Sequence, residues 1–231
     1  MAKQESAAKQ ESALIVGVGP GLSASLARLC AKQGMAVALA ARDTGKLSDL
    51  VSETGARAYV CDVSSPEEVA ALFAAVQGDT GAPDLVVFNP SARQRAPIAE
   101  LEPEKVRQAL LISCFGGFLV GQAAAKAMLE RGSGSILFTG ATASVKGVAN
   151  SAPFAMGKFG LRGLCQSMAR ELAPKGIHVA HFVIDGGIGK DSEGNAKLDP
   201  DAIAETYLHI HRQHPSAWTW EIELRPWVEN F

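Results

Sequence analysis

Short apolar runs alternate with helix-periodic stretches along this chain, and that alternation limits the fold more than any other feature. The apolar runs cover residues 13–18, 36–40, 57–61, 84–88, 135–139, 177–184 and 218–224. Between them lie stretches with helical spacing: 21–33 with Leu22, Leu26 and Leu29 on one face, 44–54 with Leu47, Leu50 and Val51, a long one from Glu102-Pro103 to about residue 130, and 152–173. Local signals mark the helix ends. Ser65-Pro66-Glu67-Glu68 combines a capping box with proline at the first helical position. Asp43 and Asp199-Pro200 open two further helices, and Gly34 stands where a C-terminal cap belongs. The last run sets Trp218, Trp220, Ile222 and Leu224 against Thr219, Glu221, Glu223 and Arg225, the alternation of a half-buried strand. Strands that alternate with helices pair in parallel, because parallel neighbours need crossover connections. The expectation is an α/β fold: one doubly wound domain over 13–231, its seven-stranded, mostly parallel sheet flanked by helices on both faces. A ligand then belongs at the carboxyl ends of the strands. The hexapeptide AKQESA occurs at 2–7 and again at 8–13, so residues 1–12 read as a disordered tail or an added segment outside the fold.

Composition narrows the function classes. A net charge of −2 leaves no electrostatic footprint for nucleic acid or an anionic membrane. No apolar run is expected to reach the roughly 18–20 residues of a membrane span, and the polar start has no leader-like apolar segment. A cytoplasmic protein is expected. Cys30, Cys61, Cys114 and Cys165 lie far apart in apolar stretches with no C-x-x-C, which reads as reduced small hydrophobes rather than a disulfide frame or zinc site. His209, His211 and His214 form H-x-H-x-x-H, but on a helix the first two point to nearly opposite sides, so no metal site is expected.

The first apolar run leads directly into Gly17-Val18-Gly19-Pro20-Gly21-Leu22. Glycines between a first strand and a first helix let the backbone turn tightly and approach a pyrophosphate, while the helix start offers free N–H groups. With a second strand following, this is the context of a Rossmann-type dinucleotide site. About twenty residues on, where a carboxylate would hold an adenosine ribose, the sequence reads Ala40-Ala41-Arg42-Asp43. Arg42 suits a 2′-phosphate, so NADP(H) is favoured over NAD(H).

Over about residues 13–228 the chain resembles the short-chain dehydrogenase/reductase family. Gly17 and Gly21 match glycines of its T-G-x-x-x-G-x-G turn, where Val16 and Ser23 replace the threonine and the last glycine. Asp62-Val63 matches the family's acid after the third strand. Asn89-Pro90-Ser91-Ala92 stands for its N-N-A-G, and Asp185-Gly186-Gly187-Ile188 for its P-G-x-I. The resemblance implies cofactor contacts from these residues and from Lys158, and a homodimer or homotetramer built through the helices at 103–130 and 152–173. It also implies hydride transfer to a small carbonyl or activated double bond, with a cofactor-binding protein without turnover as the alternative. The family's proton relay is Asn, Ser, Tyr and Lys. Here Lys158 matches the lysine, while Phe154 stands at the tyrosine position, Ala141 at the serine and Ser113 at the asparagine. Phenylalanine has no proton to give. Replacement groups in the neighbourhood are Thr142, Ser144, Lys146 and Ser151. Tyr207 is the one phenol placed to substitute, with helix packing the preferred role for it. Arg93 and Arg95 follow Asn89 and could face a carboxylate or phosphate on a substrate.

Overall fold

The computed structural model describes residues 10–190 and 196–228; residues 1–9 of the tail lie outside them, while Ser12, expected outside the fold, is buried in the first strand and donates from N to Asp84 at 2.9 Å. The strands are β1 (Ser12–Val16), β2 (Ala36–Ala41), β3 (Arg57–Val60), β4 (Leu85–Phe88), β5 (Gly134–Thr139), β6 (Ile177–Ile184) and β7 (Glu221–Leu224). They form one sheet in the order β3-β2-β1-β4-β5-β6-β7, and every pairing is parallel. β1, β4 and β6 are buried along their whole length, which is why they read as continuous apolar runs rather than alternating ones. One face packs Ile15, Leu39, Val87, Leu137 and Phe182 under α1 (Leu22–Lys32) and α7 (Pro200–His211). The other packs Leu14, Val86, Phe88, Ile136 and Phe138 under α3 (Pro66–Thr80), α5 (Gly116–Leu129) and α6 (Ala152–Leu172). α2 (Ser48–Thr54) and α4 (Pro103–Leu110) complete the helices used below.

The capping signals act as written, with one change of partner. Ser65 Oγ accepts from Glu68 N at 3.1 Å, but the Glu68 carboxylate reaches Asp62 N (2.8 Å) instead of closing the box. Asp43 accepts from Gly45 N at 3.1 Å and starts a short 3₁₀ turn, Gly45–Leu47, ahead of α2. Asp199 caps α7 through Asp201 N.

Some expectations need correction. The long helix from 103 is broken by a π-turn, Leu111–Phe115, between α4 and α5. α6 presses on that turn: a Cβ on Gly157 would lie 2.8 Å from Ser113 Cβ, and one on Gly160 would lie 2.7 Å from Cys114 Sγ. The extra residue of the π-turn lets these backbones approach. Pro103–Leu129 is also long and apolar enough by composition to cross a membrane, contrary to the expectation that no such stretch exists. Here it lies on the sheet, with Val120, Ala124 and Met128 fully buried. β7 is shorter than its alternation suggests. Gln213 takes Thr219 N (2.8 Å) and His178 Nε2 faces Thr219 O (2.9 Å), so side chains capture the backbone groups that would extend the ladder. Trp218 leaves the sheet and stacks on His178 at 4.8 Å. The histidine cluster disperses: His211 bonds Ser135 and Glu11, His214 bonds Ser216, and His209 is exposed. All four cysteines are free, with Cys114 only partly buried.

The strand order reverses between β1 and β4, and their carboxyl ends open the crevice that doubly wound sheets use for ligands. Gly17 and Pro90 meet there. Gly17 has φ +81°, and a Cβ on it would sit 2.6 Å from Pro90 Cγ. Gly17→Ala is therefore expected to cost about 1–3 kcal/mol through overpacking, beyond the left-handed backbone penalty. Denaturant midpoints check this; an unchanged midpoint would mean that the two loops separate freely.

Candidate active site

A cleft of about 900 Å³ follows the switch point. Its floor is the 17–20 loop, and its far end carries Arg42, Asp62 and Val63. A Cβ on Gly19 or Gly21 would meet nothing within 4 Å, so here the missing side chains leave open backbone rather than relieve a clash. α1 begins at Leu22, and the first N–H groups of a helix have no acceptor within it. Gly21 and Leu22 do not themselves line the cleft; Leu22 is buried in the core under α1. Asp62 is fixed by Ser64, whose N–H and hydroxyl donate to its Oδ1 at 2.9 and 2.7 Å. These bonds hold its carboxyl below the ordinary range, and the Arg42 charge adds to them. Arg28 and Lys46 also line this end, and sequence reasoning passed over both. Ser23 gained a role where the family pattern has glycine: its hydroxyl accepts from Asn89 Nδ2 at 2.6 Å and donates to Gly17 O at 3.2 Å.

Asn89 and Ser91 also border a second cavity of about 600 Å³. Thr139, Ala141, Thr142, Phe154, Lys158 and Ile188 line it. Lys158 is buried on α6 and donates from Nζ to Thr139 O at 2.6 Å. Burial pushes its pKa down to about 7, with the Arg93 charge contributing. The Phe154 ring centroid is 6.0 Å from that Nζ and 4.4 Å from Arg93 Cζ, so two cations share one aromatic neighbour. Phe154, Ala141 and Ala143 form a small apolar cluster where the resemblance expects hydroxyls.

The remaining candidates separate clearly. Thr142 borders the cavity, but its hydroxyl donates to Asp185, which Arg225 also holds. Ser144 is fully buried, accepts from Ala141 N at 3.1 Å and does not line the cavity. Ser113 lines neither space; it is fully buried, and its Oγ accepts from Ala92 N at 3.0 Å, which anchors the loop after β4. Tyr207 is also displaced from the role of acid. It is fully buried, stacks on Phe182 at 3.6 Å and donates to Thr139 Oγ1 at 2.9 Å. Burial raises its phenol above the ordinary value, so it is a core residue one side chain behind the cavity wall. Beneath Lys158 lies an unforeseen group. Arg162 holds Glu221 at 2.6 and 2.7 Å, and Glu221 faces His181 Nδ1 at 3.1 Å. Burial pushes His181 down to about 4 despite that carboxylate.

A parallel sheet with a glycine-floored switch-point crevice and a buried lysine at its inner end defines a dinucleotide-dependent α/β enzyme class. The model of the short chain dehydrogenase family matches residues 11–199, and the chain belongs to that family, hence to the oxidoreductases. A short-chain dehydrogenase from Rhodopseudomonas palustris is 36% identical with a TM-score of 0.85, covering 94% of this chain and 99% of that one. A metagenomic short-chain oxidoreductase solved with NADP is 25% identical, with a TM-score of 0.85 over 96% of this chain and 100% of the other. The 3-oxoacyl-acyl-carrier-protein reductase MabA of Mycobacterium avium is 28% identical over 188 residues, which cover 81% of this chain and 70% of the relative.

The lysine gives a pH-dependent expectation. Its pKa falls from 10.5 in the unfolded chain to about 7 in the fold. Between those values the unfolded chain binds the extra proton, so stability rises with pH across the window, and the cost of a buried ammonium is complete below it. Lys158→Met is expected to raise the urea midpoint most at about pH 6, with the gain shrinking as pH climbs toward the unfolded value. A gain that is constant with pH would show that Lys158 does not titrate in this way.

Proposed function

We propose that the protein binds NADP(H) and passes hydride between it and a small carbonyl or activated double bond. The carrying observation is the pair of adjoining spaces, sharing Asn89 and Ser91, that extend from Arg42, past the bare backbone of the glycine loop, to Lys158. Those residues fit a dinucleotide. Arg42 would take the 2′-phosphate, the loop and the α1 start the pyrophosphate, and Asp62-Val63 the adenine region. Lys158 would donate to the ribose hydroxyls near the nicotinamide, with Asn89 and Ile188 beside it. When bound, the cofactor supplies or accepts the hydride.

The proton is the chain's own task. Phe154 and Ala141 have none, Thr142 points its hydroxyl at Asp185, and Tyr207 is enclosed. Lys146 and Ser151 also line the inner space, and of its protic groups Lys158 Nζ has the near-neutral titration that suits it to hold and release a proton at working pH. The apolar trio of Phe154, Ala141 and Ala143 favours a second reading, a cofactor-binding subunit without turnover. NADPH oxidation over aldehydes, ketones and enones, measured beside direct NADPH binding, separates the two.

Assembly as a homodimer or homotetramer is part of the proposal. Phe115, Phe118, Met156 and Phe159 leave an exposed apolar face along the π-turn, α5 and α6. A cytoplasmic location suits the four free thiols.

NADPH is expected to bind more tightly than NADH, and Arg42→Ala to remove about 1.5–3 kcal/mol of that preference. Fluorescence titration decides; equal affinities for the wild type would refute the 2′-phosphate role. Restoring the relay is the complementary test. If the missing phenol is what limits the reaction, Ala141→Ser with Phe154→Tyr raises carbonyl reduction by about 10²–10⁴-fold, since general acid catalysis contributes on that scale. No gain from a wild type that already reduces ketones well would show that its own proton donor is sufficient.

A further inference from the structure

The inner cavity is charged in one sense only. Arg93, Arg95, Lys146 and Lys158 line it, and among its described lining residues there is no aspartate or glutamate. Asp185, the carboxylate behind Thr142, is held by Thr142 and Arg225. Arg93, Arg95 and Lys146 meet no carboxylate among the described residues. Like charges gathered around a partly apolar cavity repel one another, and a bound anion relieves that repulsion.

The placement of these cations says which anion. Arg93 and Arg95 do not line the outer cleft, where the dinucleotide phosphates would lie. They rise from the loop after Asn89 at the inner end, where a substrate would enter. The guanidinium of Arg93 rests over the Phe154 ring at 4.4 Å. A ring without a hydroxyl gives it a flat, neutral support and takes none of its N–H groups in a hydrogen bond. The donors stay free for the paired acceptor oxygens of a carboxylate or phosphate, the geometry a guanidinium matches best.

We propose that the substrate of this cavity is an anion, a small oxo compound carrying a carboxylate or a phosphate, held by Arg93 on the Phe154 ring and by Arg95. The proposal rests on the hydride-transfer reading for its oxo group, but not for the anion. Phe154 is then a positioning residue for Arg93 rather than a lost acid.

The test compares matched pairs at constant ionic strength: acetoacetate against its methyl ester, and dihydroxyacetone phosphate against dihydroxyacetone. NADPH oxidation gives kcat/KM. Calorimetric titration of the same anions, and of acetate and inorganic phosphate, into NADP⁺-saturated protein gives binding without turnover. At least one anion is expected to exceed its neutral partner by about tenfold or more in kcat/KM, and the pair that does so distinguishes carboxylate from phosphate. Arg93→Gln and Arg95→Gln are expected to erase most of that ratio through KM, and Arg93→Lys to restore only part of it. If no compound is reduced while an anion still binds in an Arg93-dependent way, the anion site stands and the hydride-transfer reading falls. Equal handling of both members of each pair, with no anion binding, overturns the proposal. So does an Arg93→Gln protein that loses NADP⁺ affinity and keeps its anion titration unchanged.

Discussion

The contact between Gly17 and Pro90 fixes where everything else can be. A Cβ at Gly17 would collide with the Pro90 ring, so the loops after β1 and β4 close on each other where the strand order reverses. Ser23 ties the same junction from the helix side, binding Asn89 and the Gly17 carbonyl. This junction divides the crevice. On one side lies the bare glycine backbone leading to Arg42, and on the other the loop that carries Arg93 and Arg95. A shift in it would move both binding surfaces together, because a packed interior passes displacement on rather than absorbing it.

Much of this was legible in the chain because periodicity and turn chemistry are local. The apolar runs, the Ser65 cap and the 17–21 glycines each need only neighbours in sequence to make their case. What escaped the reading depends on distant partners. β7 stops short because Gln213 and His178 capture Thr219, and a strand alternation carries no trace of that. Glu221 was placed on the solvent side of β7, yet it turns to the half-exposed Arg162 on α6 and to the buried His181 on β6. A signal was present: His178 and His181 interrupt an otherwise apolar buried strand, and a buried imidazole needs a partner. The π-turn was hidden as well, since it answers to glycines on α6 rather than to residues of its own helix.

The family resemblance located the relay positions but not what their replacements accomplish. Read as losses, Phe154 and Ala141 leave Lys158 without its usual companions. In the fold they make a small apolar wall with Ala143, and the wall has electrostatic consequences. It lines the same cavity as the lysine, and burial is the leading cause of the lysine's lowered pKa. It also gives Arg93 a face to rest on. A phenol in the same place would offer its own proton, and it would also put a polar atom in a wall that is now apolar. Tyr207 cannot take over, because its hydroxyl is engaged on the core side of Thr139.

Lys158 and Arg93 are therefore coupled through charge. Burial is the larger cause of the lowered Lys158 pKa, and the Arg93 charge adds to it. An anion on Arg93 reverses the balance. It cancels the repelling charge and favours the ammonium form of Lys158, so anion binding and proton uptake must reinforce each other. An oxo compound carrying its own negative charge would thus arrive with the condition that loads Nζ with a proton. With a neutral oxo compound, burial and the Arg93 charge would both still act on the lysine, so a smaller share of it would carry the proton. Anionic substrate recognition and a lysine donor would in this sense be one arrangement, with the bare Phe154 ring as the neighbour that both cations share.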